Sequence, residues 1–317
     1  MELRNLGRSG LRVSLVGLGC NNFGGRIDMA ATRATVDKAI ESGITLFDTA
    51  DTYGNRGGNK GDSERALGDV LGERRKQIVL ATKFCMPMDE AKGLRGASRR
   101  YIMSAIEASL KRLRTDWIDL YQLHRPDPDT PIEETLRALD DLVRAGKVRH
   151  IGCSNLPAAE MIEAHALVQR RDLTAFITCQ DEYSLLARAI ERDVIPAAKA
   201  QGMSVLPYFP LASGLLTGKY KHGAPPPPGT RLAKLPQHAS DFMTERNWRI
   251  VGALEAFVAC RGRSMLELAF SWLLREPAVA SVIAGATSPA QLEQNIRAAG
   301  WTLSAAELAE IDRITSG

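Results

Sequence analysis

Asp48, Tyr53, Lys83 and His124 are the side chains whose types could do chemistry together. Asp48 and Tyr53 lie five residues apart in FDTADTYG, Lys83 ends VLATK, and His124 sits in YQLHRPD. A free tyrosine has a pKa of about 10, too high for easy proton donation at neutral pH. A lysine ammonium beside it favours the phenolate and lowers that value. An aspartate beside the lysine would keep the ammonium charged and in place. A neutral histidine could donate a hydrogen bond to a carbonyl oxygen. Together these form a tuned general acid and an electrophilic clamp on an oxygen, which suits hydride addition to a carbonyl. No metal-ligand set is visible, so the hydride is expected from an organic cofactor. Each residue also has a plain reading. Asp48 could cap a turn, Tyr53 could pack on a loop, Lys83 could be surface, and His124 could be a hydrogen-bonded structural histidine.

What would bring them together is the order of elements. Short apolar runs at 15–18, 44–47, 78–82, 117–123, 148–152, 174–179, 203–206 and 281–284 read as eight strands. Several show little polar alternation, as strands covered on both faces do. Amphipathic helices alternate with them. Ile102, Ile106, Leu110 and Leu113 share one helical face, and Ile132, Leu136, Leu139 and Val143 another. Thr130-Pro131-Ile132-Glu133 reads as a capping box with proline at the first helical position, and Ser288-Pro289-Ala290-Gln291 repeats it. Gly146 stands where a left-handed cap is expected.

Eight strands alternating with helices fit a closed barrel or an open doubly wound sheet. In a barrel the ends of the second, third and fourth strands open onto one face, where active sites form. No linker divides the chain, so residues 1–317 are expected to form one domain. Residues 3–13, with Gly7 and Gly10, could make a hairpin that closes the barrel's bottom. After the seventh strand the stretch 208–240, with four prolines at 225–228, breaks the rhythm. So long a loop is usually functional, and it is expected to cover a cofactor or line the substrate site. Helices follow at 243–260, 265–275 and 305–314, the last opened by the Ser304-x-x-Glu307 box.

Composition narrows the partners. The chain has 317 residues, 44% hydrophobic and 25% charged, with a formal charge of +4. That is ordinary for a soluble globular protein. Basic runs such as 74–76 read as solvated helix surface, so no nucleic acid is expected. Cys20, Cys85, Cys153, Cys179 and Cys260 form no CxxC pair and are odd in number, which argues against disulfides and for a reducing compartment. Neither a signal peptide nor a membrane span is visible, and a cytoplasmic location is expected. Gly17-Leu18-Gly19 invites a dinucleotide fingerprint, but position 22 is Asn22 and no helix starts there. Residues 54–61 are glycine-rich without the GK[ST] ending of a Walker loop.

FDTADTYG, ATK, YQLHRPD, IGCSN, CQDEYSLL, YFPLASGLLTGKY and SVIAGATSPAQLEQN, spread from position 47 to 295, together resemble the aldo-keto reductase superfamily. The resemblance implies a (β/α)8 TIM barrel with an N-terminal β-hairpin and extra C-terminal helices, binding NADP(H) in an extended form without a Rossmann fold. It implies that Tyr53 is the proton donor, that Lys83 and Asp48 tune it, and that His124 orients the substrate carbonyl. Ser154, Asn155 and Gln180 match positions that hold the nicotinamide carboxamide, and Tyr208 the aromatic residue on which the ring stacks. Leu211, Ser213 and Lys219 match the loop over the pyrophosphate. Gly285, Thr287, Gln291, Gln294 and Asn295 match the adenosine-phosphate end, where the free N–H groups of a helix beginning near Ser288 also favour a phosphate. Many members carry an arginine or lysine there. Here Gly285 and Gln291 take those places, and Gln294 stands where a glutamate is common. That leaves Lys219 or Arg231, on the long loop, to supply the missing charge.

The resulting expectation is an NADP-dependent oxidoreductase that moves hydride reversibly between nicotinamide and the carbonyl of an aldehyde, ketone or sugar. The small-molecule carbonyl or alcohol is its partner. NAD(H) is the second cofactor choice, as in a sugar or alcohol dehydrogenase running in reverse. A slow-turnover, redox-sensing regulatory subunit is the reading from another class, because a shared fold does not prove activity. Phe23, Phe84 and loop residues near Arg125 and Asp127 are expected to line the substrate pocket. Phe23 and Phe84 could equally pack the barrel rim, and Arg125 could meet an anionic or hydroxylated substrate or pair with Asp127.

Overall fold

The computed structural model describes residues 1–55 and 58–316, all but 236–238 with their side chains. Strands β1 (Leu3–Asn5) and β2 (Arg12–Ser14) pair antiparallel as the N-terminal hairpin. The sheet that follows comprises β3 (Val16–Gly19), β4 (Leu46–Asp48), β5 (Val79–Phe84), β6 (Ile118–Leu123), β7 (Val148–Ser154), β8 (Phe176–Glu182), β9 (Ser204–Tyr208) and β10 (Val282–Gly285). All eight are parallel, in the order β10-β3-β4-β5-β6-β7-β8-β9. A parallel bridge between Val205 and Val279 joins the two ends. There the Val205 N–H donates to Ala278 O at 2.8 Å and the Ala280 N–H to Val205 O at 3.2 Å. The result is the (β/α)8 barrel, with helices between successive strands; the open-sheet alternative is excluded.

Side chains along a strand alternate between its two faces. One buried cluster collects Leu46, Val79, Ala81, Leu120, Leu206, Ala280 and Ile283, with Leu6 and Val13 of the hairpin. These fill the barrel's interior, and the hairpin closes its lower end as anticipated. Gly7 makes the turn with φ +57°, where a Cβ would run into the carbonyl oxygen of Ile177. The Gly7 N–H donates to Ser204 Oγ at 2.8 Å, tying the turn to β9. The opposite faces of the strands, with Phe47, Leu80, Phe84, Tyr121 and Leu123, pack under the helices in a second and larger cluster.

Gly17 and Gly19 lie inside β3. A Cβ on Gly17 would come 2.9 Å from Ser281 Oγ, and one on Gly19 3.2 Å from Ile283. These glycines permit close strand packing and cradle no phosphate of a Rossmann unit.

Helix starts separate the reliable cap from the apparent one. Ser304 and Glu307 make the full reciprocal box ahead of helix Ala305–Thr315. Ser264 and Glu267 make an equal, unanticipated one ahead of Met265–Leu274. Ser288 accepts from the Gln291 N–H with Pro289 following, but Gln291 Oε1 turns to the Thr287 N–H and hydroxyl at 3.0 Å each. The Thr130–Glu133 box is not made. Pro131 is the cap residue, without a side-chain bond, ahead of helix Ile132–Arg144. The Thr130 hydroxyl donates to Asp127 at 2.8 Å instead. Asp127 is the stronger acceptor, and it gathers Thr130 into the loop. Gly146 has the expected left-handed φ, +73°.

The long stretch after β9 has structure of its own: a 3-10 segment Ala212–Thr217 and helices Arg231–Lys234 and Pro236–Phe242. Among the described residues no helix is long and apolar enough to cross a membrane.

Candidate active site

Two-residue alternation carries the inward row of each strand from apolar to polar at its C-terminal end. Leu46 leads to Asp48, Val79 and Ala81 to Lys83, Leu120 to Gln122, and Leu206 to Tyr208. Lys83 is fully buried and Asp48 nearly so. Lys83 Nζ donates to Asp48 Oδ2 at 2.6 Å and to Thr49 O at 2.9 Å. It is also hydrogen-bonded to Tyr53, with Nζ 5.0 Å from the tyrosine ring centroid. Asp48 Oδ1 accepts from Gln180 Nε2 at 2.9 Å and Gln122 Nε2 at 3.2 Å. Each carboxylate oxygen is therefore satisfied, as an enclosed charge requires.

Burial alone would push Lys83 down, but the charges of Asp48 and Tyr53 and its hydrogen bonds to both outweigh it, and the ammonium is held above its ordinary value. His124 goes the other way. Burial, reinforced by the positive charges of Lys83 and Arg125, holds it well below the usual imidazole range. It is thus neutral at pH 7. Its ring stands edge-on to Tyr53, centroids 5.8 Å apart at 79°. Nδ1 is enclosed with no hydrogen-bond partner among the described residues, which leaves Nε2 toward the open space.

That space is a cavity of about 920 Å3, within the range that holds a cofactor-sized ligand. Asp48, Tyr53 and His124 line it, while Lys83 stands enclosed behind them. Every position matched to the cofactor also lines it: Ser154, Asn155, Gln180, Tyr208, Leu211, Ser213, Lys219, Gly285, Thr287, Gln291, Gln294 and Asn295. Several are tied to each other. Ser154 Oγ donates to Gln180 O at 2.7 Å, and Asn155 Nδ2 to Ser154 Oγ at 2.9 Å and His124 O at 3.2 Å. The Tyr208 hydroxyl donates to Asn155 Oδ1 at 2.7 Å. Burial and the charge of Glu182 push that phenol up to about 12, so it keeps its proton.

Left-handed backbone is concentrated here. Among the described residues seven non-glycines have positive φ, and Arg114 and Asp172 simply cap helices. The other five, Cys85, Asn155, Phe209, Ala212 and Ser213, follow barrel strands on the face of the cavity. Such conformations cost free energy and persist where the surroundings fix them, characteristically at functional sites.

Some expectations are corrected. Phe23 and Phe84 are fully buried in the outer cluster and do not line the cavity, Phe84 lying 4.8 Å from Tyr121 between ring centroids. They point outward on the helix side, so rim packing is the correct alternative. Asp127 is absent from the lining and accepts instead from the Ala97 N–H at 2.6 Å. Gln122 was missed, although it precedes His124 by two residues and so shares its face. Asn22 was also missed. Its Nδ2 donates to Ala286 O at 3.2 Å, and its Oδ1 accepts from Arg26 at 3.3 Å, which places a cation at the adenosine end.

Behind Tyr53 lies a second buried group of acids. Glu64 accepts from the Thr82 hydroxyl and from Arg112 Nε, each at 2.6 Å. Asp51 is enclosed nearby, its Oδ1 without a hydrogen-bond partner among the described residues. Burial, then the charge of Glu64, holds Asp51 well above the usual carboxylate range. As pH rises from the ordinary aspartate value of about 4, the unfolded chain releases this proton while the folded one keeps it. Stability therefore falls with pH until the folded value is passed, by at most about 1.4 kcal/mol per pH unit. Asp51→Asn removes that loss. The variant should gain in melting temperature over the wild type between pH 5 and pH 8, and parallel melting curves would contradict the assignment.

The fold and this arrangement define a class: barrels that gather polar side chains at the strands' C-terminal mouth, around an enclosed ion pair in contact with a phenol. Known sequences narrow it. The profile of the Aldo/keto reductase family matches residues 15–316, and the chain belongs to that family, whose members are oxidoreductases. An uncharacterized oxidoreductase of Bacillus subtilis (strain 168) is 39% identical over 309 residues, covering 94% of this chain and 91% of that one. The L-glyceraldehyde 3-phosphate reductase of Escherichia coli (strain K12) is 33% identical over 322 residues, covering 99% and 92%. A probable voltage-gated potassium channel subunit beta of Oryza sativa subsp. japonica is 34% identical over 304 residues, covering 94% and 91%.

Proposed function

We propose that this chain is an NADP(H)-dependent carbonyl reductase of small aldehydes, ketones or sugars, acting in the cytoplasm. The observation that carries the reading is the enclosed Lys83–Asp48 pair in contact with Tyr53 at the mouth of the cavity. When bound, the nicotinamide supplies the hydride. The rest is done by the chain. His124, neutral, donates a hydrogen bond from Nε2 to the carbonyl oxygen and fixes its direction. The Tyr53 hydroxyl gives that oxygen its proton. Lys83 stabilises the phenolate left behind, and Asp48 keeps Lys83 charged and aimed. In the reverse direction the same phenolate takes the proton from an alcohol.

The cavity fits a dinucleotide phosphate on its own features. The Ser213 hydroxyl is buried against it without a partner among the described residues, and so is Asn21 Oδ1. Ser213 and Gly214 both have left-handed φ, and a Cβ on Gly214 would lie 2.9 Å from Lys219 Nζ. That backbone leaves room for a group brought close to Lys219. Ser154, Asn155 and Gln180 would hold the carboxamide, Tyr208 would face the ring, and Leu211, Ser213 and Lys219 would cover the pyrophosphate. Gly285, Thr287, Gln291, Gln294 and Asn295 would take the adenosine end. The relative named for a phosphorylated triose supports a small hydroxylated aldehyde as substrate.

Oxidation of NADPH and NADH with a panel of small aldehydes tests the reading. Turnover with NADPH is expected. Tight NADPH binding with no turnover would favour the redox-sensing regulatory reading. A charge-assisted hydrogen bond contributes about 1.5–3 kcal/mol, so Lys219→Ala should weaken NADPH binding about tenfold or more. Equal weakening of NADH would assign Lys219 to the pyrophosphate, and a selective loss of NADPH would assign it to the extra phosphate. Unchanged affinity for both would exclude it from the site.

A further inference from the structure

The cavity carries more positive charge than a dinucleotide requires at the end where the chemistry occurs. Its lining includes Arg26, Arg125, Lys219, Arg231 and Lys234. Among the described residues Asp48 is the one carboxylate in that lining, and it is paired with Lys83. Four of the cations stand toward the cofactor positions. Lys219, Arg231 and Lys234 come from the segment after β9, and Arg26 leans on Asn22 beside Ala286.

Arg125 is different. It directly follows His124, is exposed, and shares the cavity wall with Tyr53 and His124. It is close enough for its charge to depress His124 and to oppose the rise of Tyr208. The acids of its own loop are committed elsewhere. Asp127 accepts from the Ala97 and Asp129 N–H groups and the Thr130 hydroxyl, and Asp129 faces Arg95 at 3.9 Å. Among the described residues Arg125 has no carboxylate within ion-pair distance.

We propose that Arg125 is the specificity-determining residue of this site, selecting substrates that carry a phosphate or a carboxylate a few bonds from the reacting carbonyl. The proposal rests on the carbonyl-reductase reading above. A guanidinium fork matches the paired oxygens of either anion, whereas a neutral hydroxyl would leave its charge unmet. The carbonyl oxygen lies between Tyr53 and His124, and Arg125 is one residue along the chain from His124. The anion therefore belongs on a short substrate.

The test compares matched pairs: glycolaldehyde phosphate against glycolaldehyde, and succinic semialdehyde against butanal. The quantity read is the ratio of kcat/KM within each pair. Arg125→Ala should lower that ratio about tenfold or more for at least one pair, mainly through KM, and Arg125→Lys should restore part of it. The pair that responds identifies the anion. In parallel, 2-phosphoglycolate and succinate are titrated into the protein with NADPH present, wild type against Arg125→Ala, with melting curves to confirm folding. Both ratios unchanged within twofold, with unchanged affinity for both anions, would overturn the proposal. Should the wild type reduce none of the four aldehydes, the reductase reading falls. The anion site is then decided by the titrations alone, where weaker binding by Arg125→Ala supports it and equal binding overturns it.

Discussion

Tyr53→Phe is expected to lower kcat for any reducible aldehyde by about 10²–10⁴, the usual contribution of a positioned general acid, while NADPH affinity stays within about twofold. The substitution removes one oxygen and keeps the ring, so the edge-on contact with His124 survives. Lys83 also stays in place, because its bonds to Asp48 and Thr49 do not involve the tyrosine. What is lost is the only phenol in contact with the enclosed ammonium among the described residues. His124 cannot substitute as acid, since its pKa is held well below neutrality and the ring carries no spare proton. The check is steady-state turnover together with cofactor titration by fluorescence. A variant that retained more than a tenth of wild-type turnover would remove Tyr53 from the role of donor.

Much of this site was legible in the sequence, for a reason that also explains the errors. Barrel strands are apolar where they cross the core and polar where they reach the mouth. Reading apolar runs alone therefore ended most strands early. The run 44–47 stops before Asp48, 78–82 before Lys83, 148–152 before Ser154, 174–179 before Gln180, and 203–206 before Tyr208. The observed strands continue through every one of those residues. Alternation would have supplied what the runs did not. Gln122, two before His124, shares the inward face and completes the hydrogen bonds of Asp48. The same rule would have turned Phe84 outward, since it follows the inward Lys83. The Thr130 box failed because a local pattern cannot register a competing acceptor, and Asp127 lies three residues away with both oxygens engaged. Arg26 was invisible for a different reason. Its place at the adenosine end depends on β10 lying beside β3, a contact between opposite ends of the chain.

Lys83→Met should have the largest effect on stability, about 3–5 kcal/mol, because it leaves Asp48 charged and enclosed without its cation. Asp48 keeps the amide donors of Gln122 and Gln180 on Oδ1, but Oδ2 loses its 2.6 Å partner. Asp48→Asn strands the ammonium in the same way. The double variant, Asp48→Asn with Lys83→Met, removes both charges and should regain most of the loss, since replacing a buried pair with uncharged groups is often neutral or better. Its activity should not return. Turnover should fall at least about a hundredfold in the two variants that lack Lys83, because the phenolate of Tyr53 then has no cation beside it. Lys83 is held above its ordinary value, so the stabilisation it contributes is complete at neutral pH. It is lost only as pH rises past the ordinary lysine range, about 10.4. Urea unfolding at pH 7 and kcat with a small aldehyde together decide the matter. If the double variant were as unstable as the singles, the pair would be structural. Stability restored with activity absent would mean that the barrel tolerates two enclosed charges for the sake of one proton transfer.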